Sequence, residues 1–146
     1  MISFVYFDVF GVLIERTGSS RESFEVIEGV VETLERFSKV CKLGIISNMS
    51  HRETLEEFKK KLGLWEYFEV ALVSCETGIR KPEPEVFELA ITRADVHPSE
   101  ILFIDDSVEN LQAARKAGFG RLVLVEGRSV SNDFKVVKGI KDIRLY

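Results

Sequence analysis

The sequence predicts an α/β protein of three layers, a Rossmann-like arrangement with a central parallel sheet of about five strands between helices. Three observations point there. Short apolar, β-branched runs recur along the chain, namely ISFVYFDV, KLGIIS, FEVALVSC, EILFID and RLVLVE. Segments of helical period separate them, so strand and helix alternate along the chain. The runs are apolar throughout rather than alternating, which is the pattern of strands covered on both faces.

Each element follows in order. The first run ends on Asp8. RESFEVIEGVVETLERFSK places Phe24, Ile27, Val31, Leu34 and Phe37 at helical spacing and predicts a helix. KLGIIS is the second strand and ends at Ser47 and Asn48. SHRETLEEFKKKLG predicts a helix with Ser50 as N-cap, Glu53 completing a capping box, and Gly63 as its stop. Lys59 to Lys61 then form a solvated helix end that suits the dipole. After the third strand the loop SCETGIRKPEP carries Arg80, read as a surface residue, and Lys81.

EPEVFELAITRAD predicts a helix with Pro84 in its first turn. The fourth strand ends on Asp105 and Asp106, and SVENLQAARKAG is a helix stopped by Gly118. RLVLVE is the fifth strand, and the tail SNDFKVVKGIKDIRLY starts polar and predicts a short helix near its end. Phe7 and Trp65 are assigned to the core. There is no internal repeat and no low-complexity linker.

A chain of 146 residues fits one domain with one sizeable core, spanning 1–146. Residues 8–22 read as a short loop and 127–146 as a tail packing on that core. A net charge of −4 gives no electrostatic case for nucleic acid as a partner. No apolar run approaches the roughly 20 residues that span a bilayer, and no membrane partner is predicted. MISFVYFD has neither a basic n-region nor a small-residue cleavage site. Cys41 and Cys75 read as reduced, buried residues, and no metal-binding Cys/His spacing occurs. His51 and His97 have no obvious partner and read as surface residues. Together these features predict a cytoplasmic protein.

Ligands of such sheets bind outside the carboxyl ends of the strands. The residues there are Asp8, Ser47 with Asn48, Lys81, and Asp105 with Asp106. Singly, each has a structural reading, as turn cap, helix cap or rigid loop. Together they form a phosphoryl-transfer constellation. Asp8 can attack phosphorus and form an aspartyl phosphate. Asp105 and Asp106 can hold a divalent cation beside it, and oxygen ligands with retained waters suit Mg²⁺. Lys81 supplies fixed positive charge. Ser47 and the Asn48 amide can donate to the phosphoryl oxygens as charge shifts.

The sequence resembles the haloacid dehalogenase-like (HAD) superfamily. FDVFGVLI is similar to its first motif, GIISN to the second, GIRKPEPEVF to the third and ILFIDDSVENLQAARKAG to the fourth. LGLWEYFEV resembles the segment preceding the third motif in the subgroup of phosphoglycolate phosphatase-like proteins and 2-haloacid dehalogenases. The resemblance implies a HAD core and Mg²⁺-dependent phosphoester hydrolysis. It implies Asp8 as nucleophile, Ser47 with Asn48 as phosphoryl binder, Lys81 as charge stabiliser, and Asp105 with Asp106 as the metal-holding pair. It also implies that the backbone carbonyl of Phe10 is a metal ligand.

The chain departs from the family pattern twice. Family phosphatases carry Asp where Phe10 stands, as general acid and base; Phe can do neither. That chemistry is worth roughly 10²–10⁴ in rate. Leaving groups that need no proton, such as acyl phosphates or nitrophenolate, suffer least. An aromatic residue here resembles the dehalogenases, which carry Tyr and need no metal. The second departure is the absence of a cap domain: only ERTGSSRES separates the first motif from the next helix. Arg16 and Arg21 in that loop are read as facing solvent, and the missing cap argues against small haloacids as substrates.

An uncapped site admits a large phosphorylated substrate, or a neighbouring subunit of a homo-oligomer covers it, with the loop TGSS near the entrance. The leading expectation is a Mg²⁺-dependent phosphatase acting through Asp8. The alternatives are a non-catalytic or regulatory protein of this fold and, less favoured, a metal-independent dehalogenase.

Overall fold

The computed structural model describes residues 1–20 and 23–146. Strands β1 (Phe4–Phe7), β4 (Lys42–Ser47), β5 (Val70–Val73), β6 (Ile101–Asp105), β7 (Arg121–Val125) and β8 (Lys135–Val137) form one sheet in the order β5-β4-β1-β6-β7-β8. Every pairing in it is parallel. A separate antiparallel hairpin joins β2 (Ile14–Arg16) to β3 (Phe24–Val26). The helices are α1 (Val30–Ser38), α2 (Arg52–Lys61), the single turn α3 (Ser74–Thr77), α4 (Pro84–Ala94) and α5 (Val108–Ala117).

Alternate residues of each strand feed two cores, one on each face. Val5, Phe7, Leu43, Ile45, Leu102 and Ile104 pack with α1 and α2 through Leu34, Phe37, Leu55 and Phe58. Phe4, Tyr6, Ile46, Leu72, Phe103 and Leu124 pack with α4 and α5 through Phe87, Ala90, Leu111 and Ala114. Two-sided burial is why β1 reads as an unbroken apolar run. Gly44 makes room for one of these residues: a Cβ there would stand 2.7 Å from the Tyr6 ring. The Tyr6 hydroxyl donates to the Ala90 carbonyl at 2.7 Å and so ties β1 to α4.

The chain fills the sheet outward from β1 through β4 to β5. It then crosses back to β6 on the other side and continues to β7 and β8. Strand order therefore reverses at β1, and the crevice for a ligand opens there at the carboxyl edge.

Four expectations are corrected. Phe24–Val26 is a strand, not the start of a helix; α1 begins at Val30, after Gly29 at φ +84°, and Val31 is exposed. Phe24 and Ile27 have helical spacing, but a short segment of that spacing also suits a hairpin arm with one face covered. Ser50 does not cap α2: the helix opens after His51, with no side-chain cap, and the His51 carbonyl accepts from the Thr54 and Leu55 N–H groups. Cys41, Cys75 and Trp65 are half-buried rather than fully buried; the two cysteines are free. The tail supplies the sixth strand, β8, and only a 3₁₀ turn at Ile140–Asp142. Phe134, Val137, Ile140 and Ile143 of that tail are buried. His97 gains a role as well, because its ring accepts from the Ser99 N–H and caps the turn at Pro98–Glu100. Among the described residues, no helix is long and apolar enough to cross a membrane.

Candidate active site

Asp8 follows β1 directly, and its N–H donates to the Ile104 carbonyl at 2.9 Å. That bond carries the β1–β6 ladder one residue past the strand and sets Asp8 beside the end of β6. Ser47, at 3% exposure, ends β4 on the other side. The crevice is thus walled by the strands on either side of the reversal point.

Lys81 arrives from the loop between α3 and α4. Its Nζ donates to Asp8 Oδ1 and to Asp105 Oδ2, both at 2.8 Å. All three side chains are almost fully buried. Asn48 positions this lysine. Its Oδ1 accepts from the Lys81 N–H at 2.8 Å and its Nδ2 donates to the Lys81 carbonyl at 2.9 Å. The carboxamide is therefore engaged on both sides by the Lys81 backbone.

Asp105 ends β6 at the mouth of α5. Its Oδ1 accepts from the Ser107 N–H at 2.9 Å, and its Oδ2 accepts from Asn110 Nδ2 at 3.1 Å as well as from Lys81. Ser107 caps α5, whose positive end favours the carboxylate. Asp106 differs. Its Oδ1 is buried and accepts no hydrogen bond, and Arg128 Nη1 stands 3.9 Å from it. The two neighbouring acids thus divide: Asp105 fixes Lys81 and Asp106 has an oxygen to offer.

The electrostatics follow from burial. The Asp8 carboxyl is raised to about 8, by burial above all, with Asp105 and Asp106 adding to the rise and Lys81 opposing it. Asp106 is also raised, through burial first and Asp105 second. Burial disfavours the Lys81 ammonium, but Asp8 and Asp105 outweigh that and hold it above the usual lysine value.

This site suits a divalent cation. Asp8, Asp105 and Asp106 each present an oxygen within 4.8 Å of the others. Asp106 Oδ1 accepts no hydrogen bond and has Arg128 only at 3.9 Å, so it is an oxygen that a cation could take up. Gly11, at φ +86°, keeps the space clear: a Cβ there would collide with Asp106 Oδ2. A hard oxygen donor set of this kind suits Mg²⁺ with several retained waters.

Phe10 follows Asp8 by two residues and is half-buried. Its ring meets Phe24 edge-on, with centroids 5.9 Å apart, and the Arg16 guanidinium carbon lies 4.3 Å from its centroid. Arg16 is exposed but stacked on that ring; Arg21 lies outside the described residues. Gly11, Asn110 and Arg128 also belong to this neighbourhood, although the motif reading did not single them out. Asn110 had a signal: it shares the buried face of α5 with Leu111 and Ala114, where a polar residue needs a partner.

Residues 9–124 match the family model of haloacid dehalogenase-like hydrolases. A phosphorylated carbohydrates phosphatase of Thermotoga maritima is 30% identical over 114 residues, covering 78% of this chain and 48% of that protein. A phosphoglycolate phosphatase of Thiobacillus denitrificans is 37% identical over 92 residues, covering 62% and 40%. The chain thus spans about half, or less, of the length of these curated relatives.

A HAD-family enzyme of Bacteroides thetaiotaomicron, crystallised with magnesium and inorganic phosphate, has a similar fold. It has a TM-score of 0.76 at 19% identity, covering 92% of this chain and 100% of that one. L-2-haloacid dehalogenase of Xanthobacter autotrophicus superposes with a TM-score of 0.79 at 15% identity, covering 97% and 96%. At such identities the likeness is one of fold. It is the family match over most of the chain that decides the assignment: this protein belongs to the haloacid dehalogenase-like hydrolases.

Proposed function

We propose that the protein is a Mg²⁺-dependent phosphatase in which Asp8 attacks phosphorus and carries the phosphoryl group as an aspartyl phosphate. The observation that carries this reading is the Lys81 ammonium held between Asp8 and Asp105, 2.8 Å from each, beside an Asp106 oxygen that accepts no hydrogen bond. A nucleophile, a fixed cation and an unsatisfied cation ligand meet at the switch point of the sheet, where such chemistry is housed. The names of the phosphatase relatives support the reaction class.

Asp8, Asp106 and the Phe10 carbonyl would hold the metal, with Asp105 alongside. When bound, Mg²⁺ supplies positive charge against the carboxylates and the phosphoryl oxygens. Lys81 fixes the angle of Asp8 and balances the charge that moves onto the transferred group. The Ser47 hydroxyl and the Asn48 main-chain N–H donate to phosphoryl oxygens. Phe10 cannot protonate the departing oxygen or take a proton from the attacking water, so the reaction favours esters with acidic leaving groups. The β2–β3 hairpin stands in place of a cap, which leaves the site open to a large substrate or to a second copy of the chain.

The test is hydrolysis of p-nitrophenyl phosphate with and without Mg²⁺, by the wild type and by Asp8→Asn. The reading predicts Mg²⁺-dependent turnover that Asp8→Asn abolishes. Equal low rates from both proteins would overturn it. One observation favours a second reading, a binding protein without turnover: the Phe10 ring is clasped by Phe24 and Arg16 where an acid would be needed. Turnover of any phosphoester that is lost in Asp8→Asn removes this reading.

A further inference from the structure

A cavity of about 440 Å³ opens beside the carboxylate cluster. Lys81 and Asn110 form its inner wall, and both are hydrogen-bonded to Asp105. Arg80 and Arg128 line it further out, with Ser129 next to Arg128 and Glu109 as the one carboxylate on the wall among the described residues. Three cations thus share one small space in a chain whose net charge is −4. Lys81 is already paired with Asp8 and Asp105, so Arg80 and Arg128 are the cations of this wall that face an incoming anion.

The arginines are carried on anchored backbone. The Arg80 N–H donates to Glu83 Oε1 at 2.9 Å, and its carbonyl accepts from the Glu83 N–H at 2.9 Å. Ser129 Oγ accepts from the Val108 N–H at 3.2 Å, which ties the Arg128 loop to the start of α5. Arg128 also stands 3.9 Å from Asp106. Guanidinium groups in this setting bind carboxylate or phosphate through paired N–H donors.

We infer that this cavity binds a second anionic group of the substrate, a carboxylate or a phosphate on the leaving alcohol, through Arg80 and Arg128. The inference rests on the phosphatase reading for its chemistry and adds the class of substrate. The scissile phosphoryl group lies on Asp8 and Ser47, and the second anion lies across Lys81. The arginines are thereby specificity-determining residues.

The experiment compares three esters of equal length with Mg²⁺ present: 3-hydroxypropyl phosphate, 2-carboxyethyl phosphate and propane-1,3-diyl bisphosphate. The proteins are the wild type, Arg80→Gln, Arg128→Gln and the double variant. An anion held by arginine is worth about tenfold or more, so kcat/KM for at least one anionic ester should exceed that for the hydroxypropyl ester by that factor. The ratio should fall towards one in the double variant. Which anionic ester gains tells carboxylate from phosphate.

Calorimetry with inert 3-phosphonopropionate against ethylphosphonate supplies the second readout, with the arginine-dependent advantage again expected. Turnover of all three esters at equal efficiency, with equal binding of both phosphonates, overturns the inference and leaves the phosphatase reading standing. No turnover of these esters or of p-nitrophenyl phosphate, with tighter 3-phosphonopropionate binding that the double variant loses, overturns the phosphatase reading and leaves the cavity's assignment standing.

Discussion

Asn48 holds the Lys81 backbone on both sides of its Cα, accepting from the N–H at 2.8 Å and donating to the carbonyl at 2.9 Å. The lysine that joins Asp8 to Asp105 is thus aimed by a carboxamide at the end of the neighbouring strand. Asn48→Ala removes two hydrogen bonds, each worth about 1 kcal/mol, so unfolding in denaturant should show a loss of about 1–2 kcal/mol. Turnover should fall by about tenfold or more, because a misplaced catalytic group loses rate steeply. A variant with wild-type turnover would show that Lys81 needs no such aid.

Removing the lysine itself has a larger effect on folding. Lys81→Met leaves Asp8 and Asp105 buried without their shared cation, and breaking a buried pair costs about 3–5 kcal/mol. Denaturant unfolding without metal, above about pH 8 where Asp8 is ionised, should show a loss of that order. Added Mg²⁺ should restore part of it. A variant as stable as the wild type in EDTA would contradict the charge balance described for the site.

Stability should also depend on pH through Asp8. Burial raises its folded pKa to about 8 from the usual carboxylate value, so the folded state binds this proton more tightly than the unfolded chain does. The resulting stabilisation is full at low pH and is lost as pH rises from about 4 to about 8. Metal-free wild type should therefore lose Tm across that window relative to Asp8→Asn. The Tm increase on adding Mg²⁺ should grow over the same window, since the cation and the proton compete for the cluster. Parallel Tm curves for the two proteins, with a pH-independent Mg²⁺ increment, would contradict this.

Phe10 divides stability from catalysis. Its contacts with Phe24 and Arg16 together contribute about 1–2 kcal/mol. Phe10→Asp and Phe10→Ala should both lose about that much. Only Phe10→Asp restores a proton donor, and it should raise kcat on alkyl phosphates at least tenfold, within the roughly 10²–10⁴ that general acid–base catalysis provides. If Phe10→Asp folds, binds Mg²⁺ and gains nothing over Phe10→Ala, the role assigned to position 10 is wrong.

Much of the fold was legible because β1, β4, β6 and β7 are buried on both faces and read as apolar runs. Asp8, Ser47 and Asp105 stood out because each ends or directly follows such a run. The helices α4 and α5 were legible from Pro84 at one start and Gly118 at the other end. β8 was not, since two of its three residues are exposed and its register comes only from pairing with β7. The β2–β3 hairpin was hidden by apolar spacing that suits a helix equally well. Within the site, residue types were legible and partnerships were not. Whether the Asn48 side chain meets Lys81 or a phosphoryl group depends on where the loop carrying Lys81 lands. Arg128 reaches Asp106 only because the β7–β8 loop turns back over the start of α5.

The most direct test is to locate the phosphoryl group. Wild-type protein mixed with p-nitrophenyl phosphate and Mg²⁺, quenched in acid within milliseconds and digested, should yield one phosphorylated peptide. Mass spectrometry should map the modification to Asp8, and Asp8→Asn should show none. Because Phe10 cannot activate the attacking water, the phosphoenzyme should accumulate to a large fraction of the protein in the steady state. Release of phosphate with no phosphopeptide at Asp8, at a rate that Asp8→Asn leaves unchanged, would contradict the account.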